Sequence, residues 1–546
     1  MHLILYLFNR GFYGMNILKK TLVVLSFFVL SGSFVFAKEK SDNPFDGTEP
    51  KLNYNNRAYN LDGINVVIAS YMRENKKNST TKSTRDYWYE WLFKTYNMNV
   101  VQKQTWGAEE FPKMALNYCV SDGNENYVFM IDNRMAALGV RANLFYDLSK
   151  IEGVDYHNSS KYNQNTLYKL TRGRSFYAFS WEKDEPLLGV YFNKKMLQEI
   201  GYTSEYLYDL QLAGKWTWSE FERLCNKITA DTDYDGETDV YAMSSDMNDF
   251  AILCLDSNDT AVINRDIEGN YSSNIINTNT MEALNWMRKI WAKHQMPDKK
   301  NEGPDYCYKA FIEGKTAFMV GHQDPRVANH DFTGMIDDYG FVCFPLGPNS
   351  KGHYRTVSNT KMVVIPSCYD ANRAEKIARA IDLWLEPMPG SNKNDAWKSN
   401  YISLFRDGRV MDETVVMMHD YPNPRIDVLI EKIDSKATYK NILTGVNTPE
   451  EEYFFTRISW SNVFDDYNKY VEKRAKLSDD EIKSIQEEHE RHIHFTKIEK
   501  PENTEEDGSI TGDTKTERVK IETSVEPVNN DSSEQSGKKA KKKKKK

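Results

Sequence analysis

Short apolar runs alternate with stretches of helical spacing in the first third of the chain, and this alternation constrains the fold more than any other feature. Ile64-Asn65-Val66-Val67-Ile68-Ala69 reads as a buried strand. Arg85 to Tyr96 then places Trp88, Trp91, Leu92 and Tyr96 on one helical face. Asn99 to Gln104 reads as a second strand, a helix follows around residues 108–120, and Tyr127 to Asp132 reads as a third strand. Strands separated by helices are joined by crossovers rather than hairpins, which predicts an α/β fold with a mostly parallel sheet. In such sheets ligands sit at the carboxyl ends of the strands. The residues at and just after those ends, among them Trp106, Asp132 and Asn133, are therefore expected to face a cleft.

The pattern continues through further strands at 176–180, 189–193, 317–321, 339–345 and 362–366. Helices are expected at 194–200, ended by Gly201, and from Trp218 to about Thr229, capped by Thr217 with Glu220 three residues on. Others are expected at 281–294, 306–313, 372–385, 453–473 and 479–491. A chain of 546 residues exceeds what one hydrophobic core normally spans, so two lobes are predicted.

The ends differ from the middle. Lys19-Lys20, an apolar run from Leu22 to Phe36 and a small-residue ending at Ala37 make a secretory signal, with cleavage after Ala37 and translation starting at Met15. A polar leader spans 38–60. From about Pro501 large apolar residues almost vanish and the chain closes on Lys541 to Lys546, so 496–546 reads as a disordered tail whose lysines suit an anionic surface. The formal net charge of −8, from 71 basic and 79 acidic residues, argues against a specific nucleic-acid binder. None of the six cysteines has CxxC spacing, and their pairing stays open.

Five segments, in order, carry a resemblance. They are Tyr191-Phe192-Asn193-Lys194-Lys195-Met196-Leu197 with Gly214-Lys215-Trp216-Thr217-Trp218, then Phe311-Ile312-Glu313-Gly314-Lys315 running to Gly321, then Phe344-Pro345-Leu346-Gly347-Pro348 with Val364-Ile365-Pro366. Together they resemble the family-1 extracellular solute-binding proteins of ABC sugar importers. The resemblance implies a periplasmic-binding-protein fold, in which two α/β lobes joined by hinge strands close on a ligand. By that analogy lobe one is 61–178 plus 344–395, and lobe two is 179–343 plus 396–495. The crossings would fall near Ser180-Trp181 and Phe344-Pro345. It also implies a small-molecule ligand, a mono- or oligosaccharide, and the membrane subunits of an ABC importer as partners of a monomeric, exported protein. His322-Gln323-Asp324 stands where members often carry a tryptophan that meets sugar, and Ser358-Asn359-Thr360 where they carry two glycines.

Sugars are held by aromatic stacking and planar polar groups. The candidate contacts are Trp181, Glu182, His322, Gln323, Asp324, Asp132, Asn133, Trp106, Tyr354 and Arg355, with Trp460 a further aromatic; Trp216 and Trp218 read as packing. No cofactor is required. Asp231, Asp233, Asp235, Glu237 and Asp239 alternate around Gly236 like a calcium loop, although Ala242 stands at the twelfth position, and suggest a structural Ca2+. Two rival readings stand beside the transport receptor. One is a ligand-sensing partner of a membrane receptor. The other is a carbohydrate-active enzyme with paired carboxylates, against which no catalytic motif (GxSxG, HExxH or P-loop) is found.

Overall fold

The computed structural model describes residues 43–71, 82–121, 123–298, 302–303, 305–324, 332–391, 398, 401, 404–424, 429 and 432–472. The signal segment, the helix expected at 479–491 and the acidic, lysine-rich tail lie outside the described residues.

The first sheet is built as the alternation predicts. β1 (Ile64–Ser70) lies between β2 (Met98–Gln104) and β3 (Asn126–Ile131), parallel to both, and strand Met362–Val364 adds to β3 antiparallel. The period-two alternation of a strand divides its side chains between two cores. Val66, Ile68, Val128 and Met130 pack with Trp88, Trp91 and Leu92 of helix Thr84–Tyr96 and with Ile377 and Ile381 of helix Ala371–Trp384. Ala69, Phe129 and Ile131 face the other way, onto Phe111, Ala115 and Cys119 of helix Phe111–Ser121 and Met135, Ala136 and Val140 of helix Asn133–Arg141. Helix Thr84–Tyr96 begins at a reciprocal cap between Ser83 and Asp86. It ends where Asn97 turns left-handed (φ 49°), which swings the chain directly into β2.

The second lobe departs from the expectation of a parallel sheet. Strand Leu188–Asn193, buried at all six residues, is central, and strands Phe318–His322 and Tyr339–Val342 both pair with it antiparallel. A second correction concerns 176–180. Only Ser175–Phe176 is strand, in a short hairpin with Thr171–Arg172, while Phe179 exchanges two backbone hydrogen bonds with Val363. Gly189 and Gly340 lie where this sheet is tightest: a Cβ on either would meet the ring of Phe341 or Phe192 at 2.4 and 2.3 Å. The result is an α/β fold in two lobes, one around each of these sheets. No disulfide joins the six cysteines. Among the described residues no helix is long and apolar enough to cross a membrane.

His294, 1% exposed, ends the long helix Thr278–His294 of the second lobe, with Nδ1 2.8 Å from Thr229 Oγ1. Burial, assisted by the charge of Lys293, lowers its pKa to about 4, below the ordinary value of 6.5. As pH falls through 6.5 the unfolded chain takes up this proton first, so the stability present above that pH is lost towards pH 4. His294→Gln is therefore expected to lose less stability than the wild type between pH 7 and 4.5, by about 2 kcal/mol. Urea unfolding of both proteins at a series of pH values checks this.

Candidate functional site

Two chain segments cross between the lobes. The first leaves the first sheet at Phe179 and enters the second at Leu188. The return runs through strand Thr356–Asn359 to Met362, so the expectation of a crossing at Phe344-Pro345 is corrected. Phe344 is buried among Phe221, Phe250 and Trp286 of the second lobe, and Leu346 bridges to Thr217. The two crossings pair antiparallel, Ser358 with Pro186 and Asn359 with Glu185. Glu182 and Lys361 tie them with an ion pair of 2.9 Å. Asp184, buried beside them, accepts from the side-chain amides of Asn163 and Asn165 at 2.8 and 2.7 Å, and desolvation raises its pKa.

The end of strand Phe318–His322 is fastened to this crossing: the Gln323 N–H donates to Leu187 O at 2.7 Å. Gln323 is 1% exposed. Its Nε2 donates to the Tyr401 hydroxyl at 3.0 Å, and that hydroxyl donates to Glu185 Oε1 at 2.9 Å. Gln323 Oε1 is buried with no hydrogen-bond partner among the described residues. A buried amide oxygen left unpaired costs about 1–3 kcal/mol, so this acceptor is primed for a donor from elsewhere. His322 Nδ1 accepts the Asp324 N–H at 3.0 Å, which places the ring proton of the neutral form on Nε2, and burial lowers its pKa. His322, Gln323, Asp324, Glu185 and Tyr401 thus form one polar group at the lobe junction.

A second group lies at the edge of the first sheet. Asp132 caps helix Asn133–Arg141, accepting the Met135 N–H at 2.9 Å. The hydroxyl of Tyr71, the residue after β1, has a raised pKa, chiefly through burial, with Asp132 raising it further and Lys361 opposing. Tyr71 is therefore within electrostatic reach of Asp132 and of Lys361, and Lys361 in turn pairs with Glu182. The side chain of Asn133 lies outside the described residues.

The other candidates are placed elsewhere. Trp181 packs against Phe179 and edge-on to Trp384, 5.5 Å between ring centroids. Trp106 joins the ring cluster of Phe111, Tyr127 and Phe129. Tyr354 is buried in the second lobe, its hydroxyl bonded to Gln211 O, and Arg355 pairs with Asp259 at 2.7 Å. Trp460 is buried beside Phe464. Sequence reading missed Glu185, Tyr401, Tyr71 and Lys361. The strand-end rule that selects Asp132 would have found Tyr71; Tyr401 carries no local signal at all.

In the acidic loop, Asp231, Asp233 and Asp239 bring one carboxylate oxygen each within 4.8 Å of one another; Asp235 and Glu237 are outside that group. Asp231 accepts the N–H groups of Tyr234 and Gly236 at 2.7 and 3.0 Å, and Gly236 (φ 95°) makes the bend.

Residues 120–380 match the family described as bacterial extracellular solute-binding protein. No curated protein matches the chain. Among solved structures, the chain is similar to the cyclic alpha-maltosyl-1,6-maltose binding protein from Arthrobacter globiformis (12% identity, 74% of this chain and 99% of that one, TM-score 0.48). It is also similar to a maltose-binding periplasmic protein from Listeria monocytogenes in complex with maltose (15%, 76% and 100%, TM-score 0.46) and to a sugar transporter from Rhizobium etli in an open conformation (13%, 71% and 96%, TM-score 0.48). Residues 120–380, the stretch that matches this family, carry β3, both crossings and the whole second sheet.

Proposed function

We propose that this protein is an exported, non-catalytic receptor that captures a mono- or oligosaccharide between its lobes and delivers it to the membrane subunits of an ABC importer. The family match supports binding as the activity. The observation that carries the ligand class is the group at the junction: a buried amide acceptor at Gln323, a tyrosine hydroxyl and a carboxylate, held in one chain of hydrogen bonds. Planar amides and carboxylates meet the dense hydroxyls of a sugar, and each hydroxyl both donates and accepts. The lobes take the boundaries read from sequence, with the second crossing moved to Ser358–Lys361, and closure about the paired crossings traps the ligand.

A thermal-shift screen of mono- and oligosaccharides tests the reading. The cognate sugar is expected to raise Tm progressively with concentration, as mass action requires. Gln323→Leu, which removes the acceptor and keeps the volume, is expected to weaken binding at least tenfold, about 1.4 kcal/mol. A shift with peptides or polyamines and with no sugar would overturn the carbohydrate assignment.

We also propose that Asp231, Asp233 and Asp239 hold a structural Ca2+. Millimolar Ca2+ is then expected to raise Tm by a few degrees, and Asp231→Asn to abolish the increment; an equal rise with the variant contradicts the assignment.

A further inference from the structure

We infer that the second lobe carries a ligand site of its own, apart from the lobe junction, that takes a flat, largely apolar organic anion. A cavity of about 670 Å³ opens between the start of helix Met247–Ser257, the last turns of helix Thr278–His294 and the segment Leu443–Gly445. Its size falls within the range of sites that hold drug-sized molecules, roughly 300–1,000 Å³. Trp291, Met247, Met296 and Leu443 supply apolar wall.

The ionic groups of the wall are Arg288, Lys289 and Asp298. Lys289 is paired with Glu222. Both carboxylate oxygens of Asp298 accept backbone N–H groups, from Glu302 at 2.9 Å and Gly303 at 3.0 Å. Arg288 makes no hydrogen bond, ion pair or ring contact among the described residues. Its guanidinium is a fork of donors suited to a carboxylate, sulfonate or phosphate.

A second donor stands in the same wall. The Tyr306 hydroxyl accepts from Gln295 Nε2, so its own proton is directed away from Gln295. Burial raises its pKa to about 12, which keeps that proton in place at neutral pH. Gln295 is 7% exposed and further anchored on the carbonyls of Ser245 and Met296 at 3.3 and 3.2 Å, which fixes the hydroxyl. A cation and a fixed O–H both call for acceptors, and the Trp291 ring offers a face for a flat body. Together they define an anion with an aromatic or conjugated skeleton. None of these residues belongs to the junction group, so the inference stands independently of the carbohydrate reading.

Toluidinonaphthalenesulfonate, a flat aromatic sulfonate that fluoresces when shielded from water, is the probe. Titrated against the full chain, it is expected to bind saturably at one site. Arg288→Glu and Ala292→Trp, which reverse the charge and fill the opening, are each expected to raise its Kd at least tenfold. Saturating the cleft with a sugar is expected to leave probe binding unchanged. Wild-type affinity in both variants, displacement by the cleft sugar, or no saturable binding to the wild type would each overturn the inference. Both substitutions are at incompletely buried positions. Circular dichroism confirms that the variants are folded before titration.

Discussion

Trp216→Ala is expected to destabilise the protein by about 4 kcal/mol, the largest single-residue loss foreseen here. Trp216 is 0% exposed, and its ring meets Phe221 edge-on at 5.9 Å and Phe318 at 6.4 Å. Truncation leaves a cavity that this close-packed environment cannot fill. It also removes the Nε1–H that donates to Cys343 O at 2.8 Å, leaving a buried carbonyl unpaired. Trp216→Phe keeps most of the burial and loses the hydrogen bond, so it is expected to cost about half as much. Urea unfolding followed by tryptophan fluorescence measures both. Equal losses in the two variants would show that the Nε1 bond, and not the ring, dominates.

The second large effect is expected at Lys161, in the first lobe. Its side chain is 5% exposed and its Nζ donates to Asp382 Oδ1 and Asp382 O, both at 2.9 Å, and to Glu386. These contacts tie the loop before helix Gln164–Lys169 to the last turn of helix Ala371–Trp384 and the residues after it. Lys161→Met strands the Asp382 carboxylate, 8% exposed, away from water. Breaking a buried pair from one side costs about 3–5 kcal/mol. The lower end applies here, because Tyr162 still donates to Asp382 at 3.0 Å and Arg379 stands 3.7 Å away. The double change Lys161→Met with Asp382→Leu is expected to recover most of the loss, since an apolar pair of similar volume has no charge to desolvate. If the double variant is less stable than the single one, the pair is holding the two segments together rather than merely neutralising itself.

The first sheet was legible because each of its strands centres on a short run of β-branched or other apolar residues and helices separate the strands. Helix Met247–Ser257 was not, because it is buried on every side from Phe250 to Ser257 and so lacks the amphipathic stripe that marks a surface helix. The direction of the second sheet's strands was misread for a different reason. Periodicity identifies strands and not their direction, and only the intervening helices decide whether the chain returns to the same end. The return crossing was misplaced because Phe344-Pro345 looks like a strand end, while Ser358-Asn359-Thr360 has no apolar run to announce it. Asp132 and the stretch His322–Asp324 were legible as strand ends, and the fold places His322–Asp324 beside the first crossing. Residue chemistry was the poorer guide. An aromatic ring that stacks on sugar and one that packs on Trp384, as Trp181 does, look the same in a sequence. Glu185 and Tyr401 meet Gln323 only through the fold, from positions far apart in the chain.

The central claim is that this chain binds a sugar between its lobes and leaves it unchanged. Isothermal titration calorimetry against the sugar that gives the largest thermal shift, with chromatographic recovery of that sugar after prolonged incubation, addresses both halves at once. Saturable heat at one sugar per chain, binding at least tenfold weaker in Gln323→Leu, and sugar recovered intact are expected. Absence of heat with every sugar tried, or recovery of hydrolysed product, would contradict the claim.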